Sequence, residues 1–170
     1  MKVKLIVAVA QGNNAIGKNN DLLWHLPTDM KFFKETTRGV PVISGRKNYE
    51  SIPEKFRPLP GRKNIVVTRD ESYQAPGAYV CTSIEEAFKK ALEFEIDDCF
   101  VIGGGQIYKQ CLDSGLVDEL YITWVDATIT ADTFFEGFSM EEWKEELLMA
   151  QEKDTANEHA FKIMKYTKFK

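Results

Sequence analysis

Short, continuous apolar runs set between turn signals constrain this 170-residue chain more than any other feature. They fall at residues 5–10, 40–43, 65–68, 79–82, 99–102 and 120–125. Successive strand residues point to opposite faces of a sheet, so an unbroken apolar run needs cover on both sides. The runs therefore predict strands of a mainly parallel sheet, and the helical patterns between them predict an α/β sandwich. Pro27 suits the first turn of a helix that runs to about Thr37. Ser83-Ile84-Glu85-Glu86 reads as a capping box ahead of Ala87, Phe88, Ala91 and Leu92 at helical spacing. A third helix is expected over 106–112, after a glycine run. The tail, 161–169, reads as a strand whose alternation changes phase near Met164. A partner around 147–151 would pair with it as an antiparallel hairpin. No linker divides the chain, and its length fits one domain, 1–170.

Composition narrows the function classes. A hydrophobic content of 44% is enough for a core and argues against disorder. A net charge of −4 and a pI near 5.3 disfavour nucleic acid and anionic membranes as partners. Cys81, Cys99 and Cys111 show no metal-ligand spacing; two lie in strongly apolar surroundings, which suggests reduced, buried thiols. The apolar run after Lys2-Val3-Lys4 is short and leads into Gly12-Asn13-Asn14, so it reads as a first strand rather than a signal peptide. No segment approaches transmembrane length, and a cytoplasmic protein is expected.

Several residues could carry chemistry. Gly103-Gly104-Gly105 sits at an expected strand-to-helix junction, where missing Cβ atoms let a backbone approach a ligand and a helix N-terminus offers N–H groups to phosphate. A plain tight turn accounts for the same glycines. Gly45-Arg46-Lys47 and Thr68-Arg69 each follow an apolar strand, where open α/β sheets bind ligands; a phosphorylated ribose needs such groups. Arg62-Lys63, after the proline-rich stretch 52–62, could meet a carboxylate. Asp29 falls in the first turn of the expected helix, where acids are favoured by the helix dipole alone. It also shares a face with Phe33, and a carboxylate on an apolar face has a raised pKa and suits a cationic or amidine-like ligand edge. With two histidines and no H-E-x-x-H, no metal site is expected. G-x-S-x-G is absent as well, which favours an enzyme whose cofactor does the redox work.

A set of segments, in order, resembles the dihydrofolate reductases over nearly the whole chain. They are Ala15-Ile16-Gly17, Leu23-Trp24-His25-Leu26-Pro27-Thr28-Asp29, Pro41-Val42-Ile43-Ser44-Gly45-Arg46 and Glu50-Ser51-Ile52. Arg57-Pro58-Leu59-Pro60-Gly61-Arg62, Val101-Ile102-Gly103-Gly104-Gly105 and Asp132-Thr133 complete the set. The resemblance implies a three-layer sandwich: an eight-stranded, mainly parallel sheet with an antiparallel C-terminal strand, flanked by about four helices. It implies reduction of 7,8-dihydrofolate by NADPH, in support of one-carbon metabolism and of thymidylate, purine and glycine synthesis. Dihydrofolate, NADPH and antifolates such as trimethoprim or methotrexate are the implied ligands, and a monomer the implied state.

Carried over residue by residue, the resemblance makes Asp29 the single active-site acid, anchoring the pterin and assisting protonation of N5. Trp24 and Leu22 join it as catalytic positions, and Thr123 supports the site. Ile6, Val7, Met30, Phe33, Ile52 and Ile102 become apolar walls for the substrate, and Arg62 the partner of its α-carboxylate. The cofactor would meet Ala8, Ile16 and Gly17 on one side and Gly45, Arg46, Lys47 and Asn48 on another. Gly104 and Gly105 would admit its phosphates, with Gly103, Gln106 and Ile107 as further cofactor contacts; Arg46, Thr68 and Arg69 would meet its adenosine phosphate groups, Arg69 favouring NADPH over NADH. Residues 15–24 would be a mobile loop closing over the nicotinamide. Two positions depart from the pattern: Leu23 where many members have proline, and Asn48 where threonine is common. A pyrimidine reductase of riboflavin synthesis shares the fold, but Asp29 in its Trp-His-Leu-Pro context, with Arg62, disfavours it. A non-catalytic binding protein on this fold would lack a key group, and none is missing.

Overall fold

The computed structural model describes residues 1–169. In chain order the strands are β1 (Lys2–Ala10), β2 (Ala15–Gly17), β3 (Val42–Gly45), β4 (Asn64–Val67), β5 (Tyr79–Cys81), β6 (Asp98–Gly103), β7 (Glu119–Val125), β8 (Thr133–Phe134), β9 (Trp143–Gln151) and β10 (Phe161–Lys168). The helices are α1 (Pro27–Thr36), α2 (Arg46–Ser51), α3 (Ile84–Leu92) and α4 (Gly105–Asp113). Eight strands form one sheet in the order β5-β4-β3-β6-β1-β7-β10-β9; β2 and β8 make a small separate ladder. The pairs from β5 through β7 are parallel, and β10 runs antiparallel to both its neighbours. The expected fold class is the observed one.

Both sheet faces are covered, as the apolar runs require. Val3, Leu5, Val7 and Val9 of β1 pack with Cys99, Val101, Leu120 and Ile122 beneath α3 and α4, which contribute Ala87, Phe88, Ile107 and Cys111. On the opposite face Ile6, Val42 and Phe100 meet Phe32 and Phe33 of α1, while Tyr49 of α2 packs on Val66. The change of phase in the tail has the same cause. Phe161 and Ile163 face the α1 side, Met164 and Tyr166 the α3/α4 side. The ladder with β9 slips one residue there: Ile163 opposes Met149 and Met164 opposes Leu147.

Boundaries moved where backbone hydrogen bonding outranked side-chain character. The run at 40–43 becomes a strand only from Val42. Pro41 has no N–H to donate, and Val40 is spent in a turn to the Thr37 carbonyl. β9 starts at Trp143, four residues ahead of the apolar pair expected to open it, and exposes Lys144, Glu145 and Glu146. No helix among the described residues is long and apolar enough to cross a membrane.

Candidate active site

α1 starts at Pro27 and places Asp29 in its first turn. Asp29 faces β7, where Thr123 sits level with Ala8 of β1 and Ile163 of β10. The Thr123 hydroxyl donates to Asp29 Oδ1 at 2.6 Å. Burial pushes the Asp29 carboxyl above its ordinary value, and the Thr123 bond partly opposes that rise. The helix-dipole account of this acid is thus incomplete, because a surface carboxylate would not be raised. Beside it lies apolar surface that the protein covers only in part. Ile6, Val42 and Phe100 are buried, but Phe32, Phe33, Leu59, Ile102 and Tyr121 around them are half-buried, and α1 has no fully buried residue. An acid next to half-covered apolar walls is the arrangement of a ligand cleft.

Some expected walls fall elsewhere. Val7 is next to Ile6 on β1, so its side chain enters the α3/α4 core on the other face, which leaves only its backbone for this cleft. Met30 is 52% exposed, and Ile52 packs with Tyr49 and Val66 at the end of α2. Leu22 is 66% exposed. With Leu23 it borders a hollow of about 610 Å³ whose other walls are Lys18, Asn19, Asp21 and residues 128–130, not Asp29. Trp24 is half-buried against Leu26, Val125, Phe161 and Ile163. Arg62 is half-buried and donates to the carbonyls of Pro60 and Lys34, while its Nε is buried without a partner among the described residues. Burial and the neighbouring Arg38 both disfavour its charge, so an incoming carboxylate would relieve it.

A second cluster forms where β4, β3 and β6 end side by side. Ser44 pairs with Gly103, and Val67 with Gly45. The next residues open α2 and α4, whose N-caps, Gly45 and Gly104, carry no side-chain cap. Their first-turn N–H groups are left for an anion. Gly103 has φ +118°, and a Cβ there would stand 3.1 Å from the Tyr108 hydroxyl, so the tight-turn account holds for it. A Cβ on Gly104 would meet nothing nearer than Asn48 at 4.0 Å; this side is open. Asn48 donates to the Ile102 carbonyl at 3.3 Å. Arg46, Lys47 and Arg69 are exposed around the cluster, with Thr68 buried between them. Gln106 is exposed at the start of α4, whereas Ile107 turns into the core beneath Gly45. Ile16 lies against Gly105, and Gly17 against Thr133. The uncapped glycine turns and surrounding cations fit a phosphorylated dinucleotide. Among the described residues no group of three His, Cys, Asp or Glu is placed to hold a metal ion.

With this geometry the comparisons agree. The family model for dihydrofolate reductase matches residues 2–168. The chain belongs to the dihydrofolate reductase family. It is 41% identical over 160 residues to dihydrofolate reductase type 3 of Salmonella typhimurium, covering 94% of each chain. It is 39% identical over 168 residues to a dihydrofolate reductase of Haemophilus influenzae, covering 99% of each. The solved structure of the Enterococcus faecalis dihydrofolate reductase complexed with NADP(H) and RAB-propyl superposes with a TM-score of 0.87 at 32% identity, covering 99% of this chain and 97% of that one.

Within this reductase fold, the loop between β1 and α1 is tied down at its tip by contacts between residues far apart in the chain. The Asn19 N–H donates to Asp132 Oδ2 at 2.8 Å, and Asn20 Nδ2 donates to the Lys47 carbonyl at 2.7 Å. Asn19 and Asn20 have φ of 51° and 61°, a backbone region asparagine tolerates better than most residues. The adjacent asparagines were the available signal. Leu59, Phe32 and Tyr121 were also absent from the expected walls, because half-buried apolar residues look like ordinary core in a sequence.

Proposed function

We propose that this chain reduces 7,8-dihydrofolate to 5,6,7,8-tetrahydrofolate at the expense of NADPH. The observation that carries the reading is the half-buried Asp29 carboxyl, bonded to Thr123 beside a half-covered apolar cleft. Membership of the family, and the likeness to a relative solved with NADP(H), support it. Bound NADPH supplies hydride to C6 of the pterin. Asp29 binds the amino and N3 edge of that ring, and its raised affinity for a proton keeps the carboxyl protonated to higher pH, where it can serve as the source of the proton that N5 takes up. Ile6, Phe33 and Ile102 pack the ring and benzoyl group, and Arg62, with unused donors, pairs with the α-carboxylate. The N–H groups opening α2 and α4 hold the cofactor's phosphates, with Asn48 beside Gly104. Arg46, Thr68 and Arg69 take the adenosine phosphate. Leu22 and Trp24 ride on the loop that excludes water when it packs over the nicotinamide.

The test is loss of NADPH absorbance on mixing the protein with NADPH and dihydrofolate, with NADH and Asp29→Asn run alongside. Oxidation that requires dihydrofolate, prefers NADPH and falls by about 100-fold or more at neutral pH in the variant is expected, the usual weight of a positioned acid. NADPH binding by the variant should be nearly unchanged. Equal loss of binding and turnover would overturn the division of roles, and no dihydrofolate-dependent oxidation by folded protein would overturn the reaction.

A further inference from the structure

The first N–H groups of a helix need partners from outside it. In α1 the N-cap is Leu26, whose side chain can accept nothing, and Pro27 has no N–H. The cap comes from 129 residues away. Asn157, in the connector between β9 and β10, accepts the Thr28 N–H on Oδ1 at 3.2 Å and donates from Nδ2 to the Thr28 hydroxyl at 3.0 Å. Asn157 is 2% exposed, so its amide has no water to fall back on. Asp154 fixes it from behind: Oδ1 accepts the Asn157 N–H at 2.7 Å and the Ala156 N–H at 2.9 Å. The Asp154 N–H in turn donates to the Asn157 carbonyl. The same connector meets the chain ahead of α1 twice more. The Glu158 N–H donates to the His25 carbonyl at 3.4 Å, and the His159 ring stands edge-on to Trp24 at 6.4 Å.

We infer that Asn157 is a positioning residue of the active site: by clamping Thr28 it sets where Asp29 stands against Thr123. The geometry requires little beyond one peptide bond. Thr28 and Asp29 are adjacent in a rigid first turn, and a 2.6 Å hydrogen bond tolerates little displacement. Among the described residues no other side chain caps this helix end, so releasing Asn157 frees the turn that carries the acid. The inference rests on Asp29 being the acid of the proposed reaction.

Two variants test it. Asn157→Leu keeps bulk and removes both bonds to Thr28 along with the amide's own bonds to Asp154; Thr28→Ala removes only the hydroxyl's bond and suits a helix, which covers the case in which the first variant does not fold. The readouts are the pH–rate profile and the Asp29 carboxyl titration followed by carbon-13 NMR in the absence of ligands. Losing part of the Thr123 bond removes what holds the carboxyl down, so its titration should move to higher pH in both variants, further in Asn157→Leu. The alkaline limb of activity should follow, with kcat lower by about 10- to 100-fold, the scale of a misplaced group, and KM for NADPH unchanged. In an Asp29→Asn background, Asn157→Leu should lower kcat no further. A folded variant with unaltered titration and pH profile, or additive losses in the double variant, would overturn the proposal. If Asp29→Asn itself left turnover intact, the reading of the acid would fail instead, while the NMR titration would still report on the clamp.

Discussion

Asp29 is held between two opposed effects. Burial favours its protonated form, and the Thr123 hydroxyl, donating at 2.6 Å, favours the carboxylate. Removing the donor leaves burial alone. Thr123→Val should therefore raise the Asp29 pKa further and shift the alkaline fall of activity to higher pH, which a pH–rate profile checks; a shift to lower pH would mean that Thr123 acts on the protonated form. The acid itself was legible in the sequence, because its first-turn place and shared face with Phe33 follow from helical spacing. Its partner's bond was not, since Thr123 lies 94 residues away. Val7 marks the complementary failure. The resemblance set it beside Ile6 as a wall, and strand alternation sends it to the opposite face.

Among the elements, those with local signals were read well. α3 is the clearest: Ser83 Oγ accepts the Glu86 N–H at 3.1 Å, as a capping box requires. The Glu86 carboxylate then reaches one residue past the box, accepting from the N–H and hydroxyl of Thr82 at 2.7 and 2.8 Å. Ser83→Ala should cost about 1 kcal/mol, or roughly 2–4 °C in Tm for a chain of this size, as measured by a thermal melt; an unchanged Tm would assign the cap's weight to Glu86 alone. α2 gave no such signal. It is six residues long, has no side-chain cap at its start, and is too short for helical spacing to register. The β2/β8 ladder is likewise three residues against two, too short for any period to register.

At the scale of the molecule, two thiols report on the integrity of the sheet. Cys99 on β6 and Cys111 on α4 are fully buried in the α3/α4 core, and burial pushes both up to about 12. The reactive thiolate is therefore scarce as well as shielded. A thiol reagent near neutral pH should leave both unlabelled in the native protein and reach all three cysteines in denaturant; rapid native labelling at either would mean that this core opens locally. Burial of the cysteines was readable from their apolar neighbours, as was a two-faced sheet from runs such as 99–102. The layered α/β plan, the cap of α3, the place of Asp29 on α1 and the glycine turns were legible along the chain, because each depends on residues close together in it. Which apolar side chains stand beside Asp29, where the loop ahead of α1 is pinned, and that Asn157 closes the helix carrying Asp29 emerged from the folded chain alone. Those contacts join residues 28 and 157, 29 and 123, and 19 and 132, and no local periodicity records which distant side chains the strand order brings together.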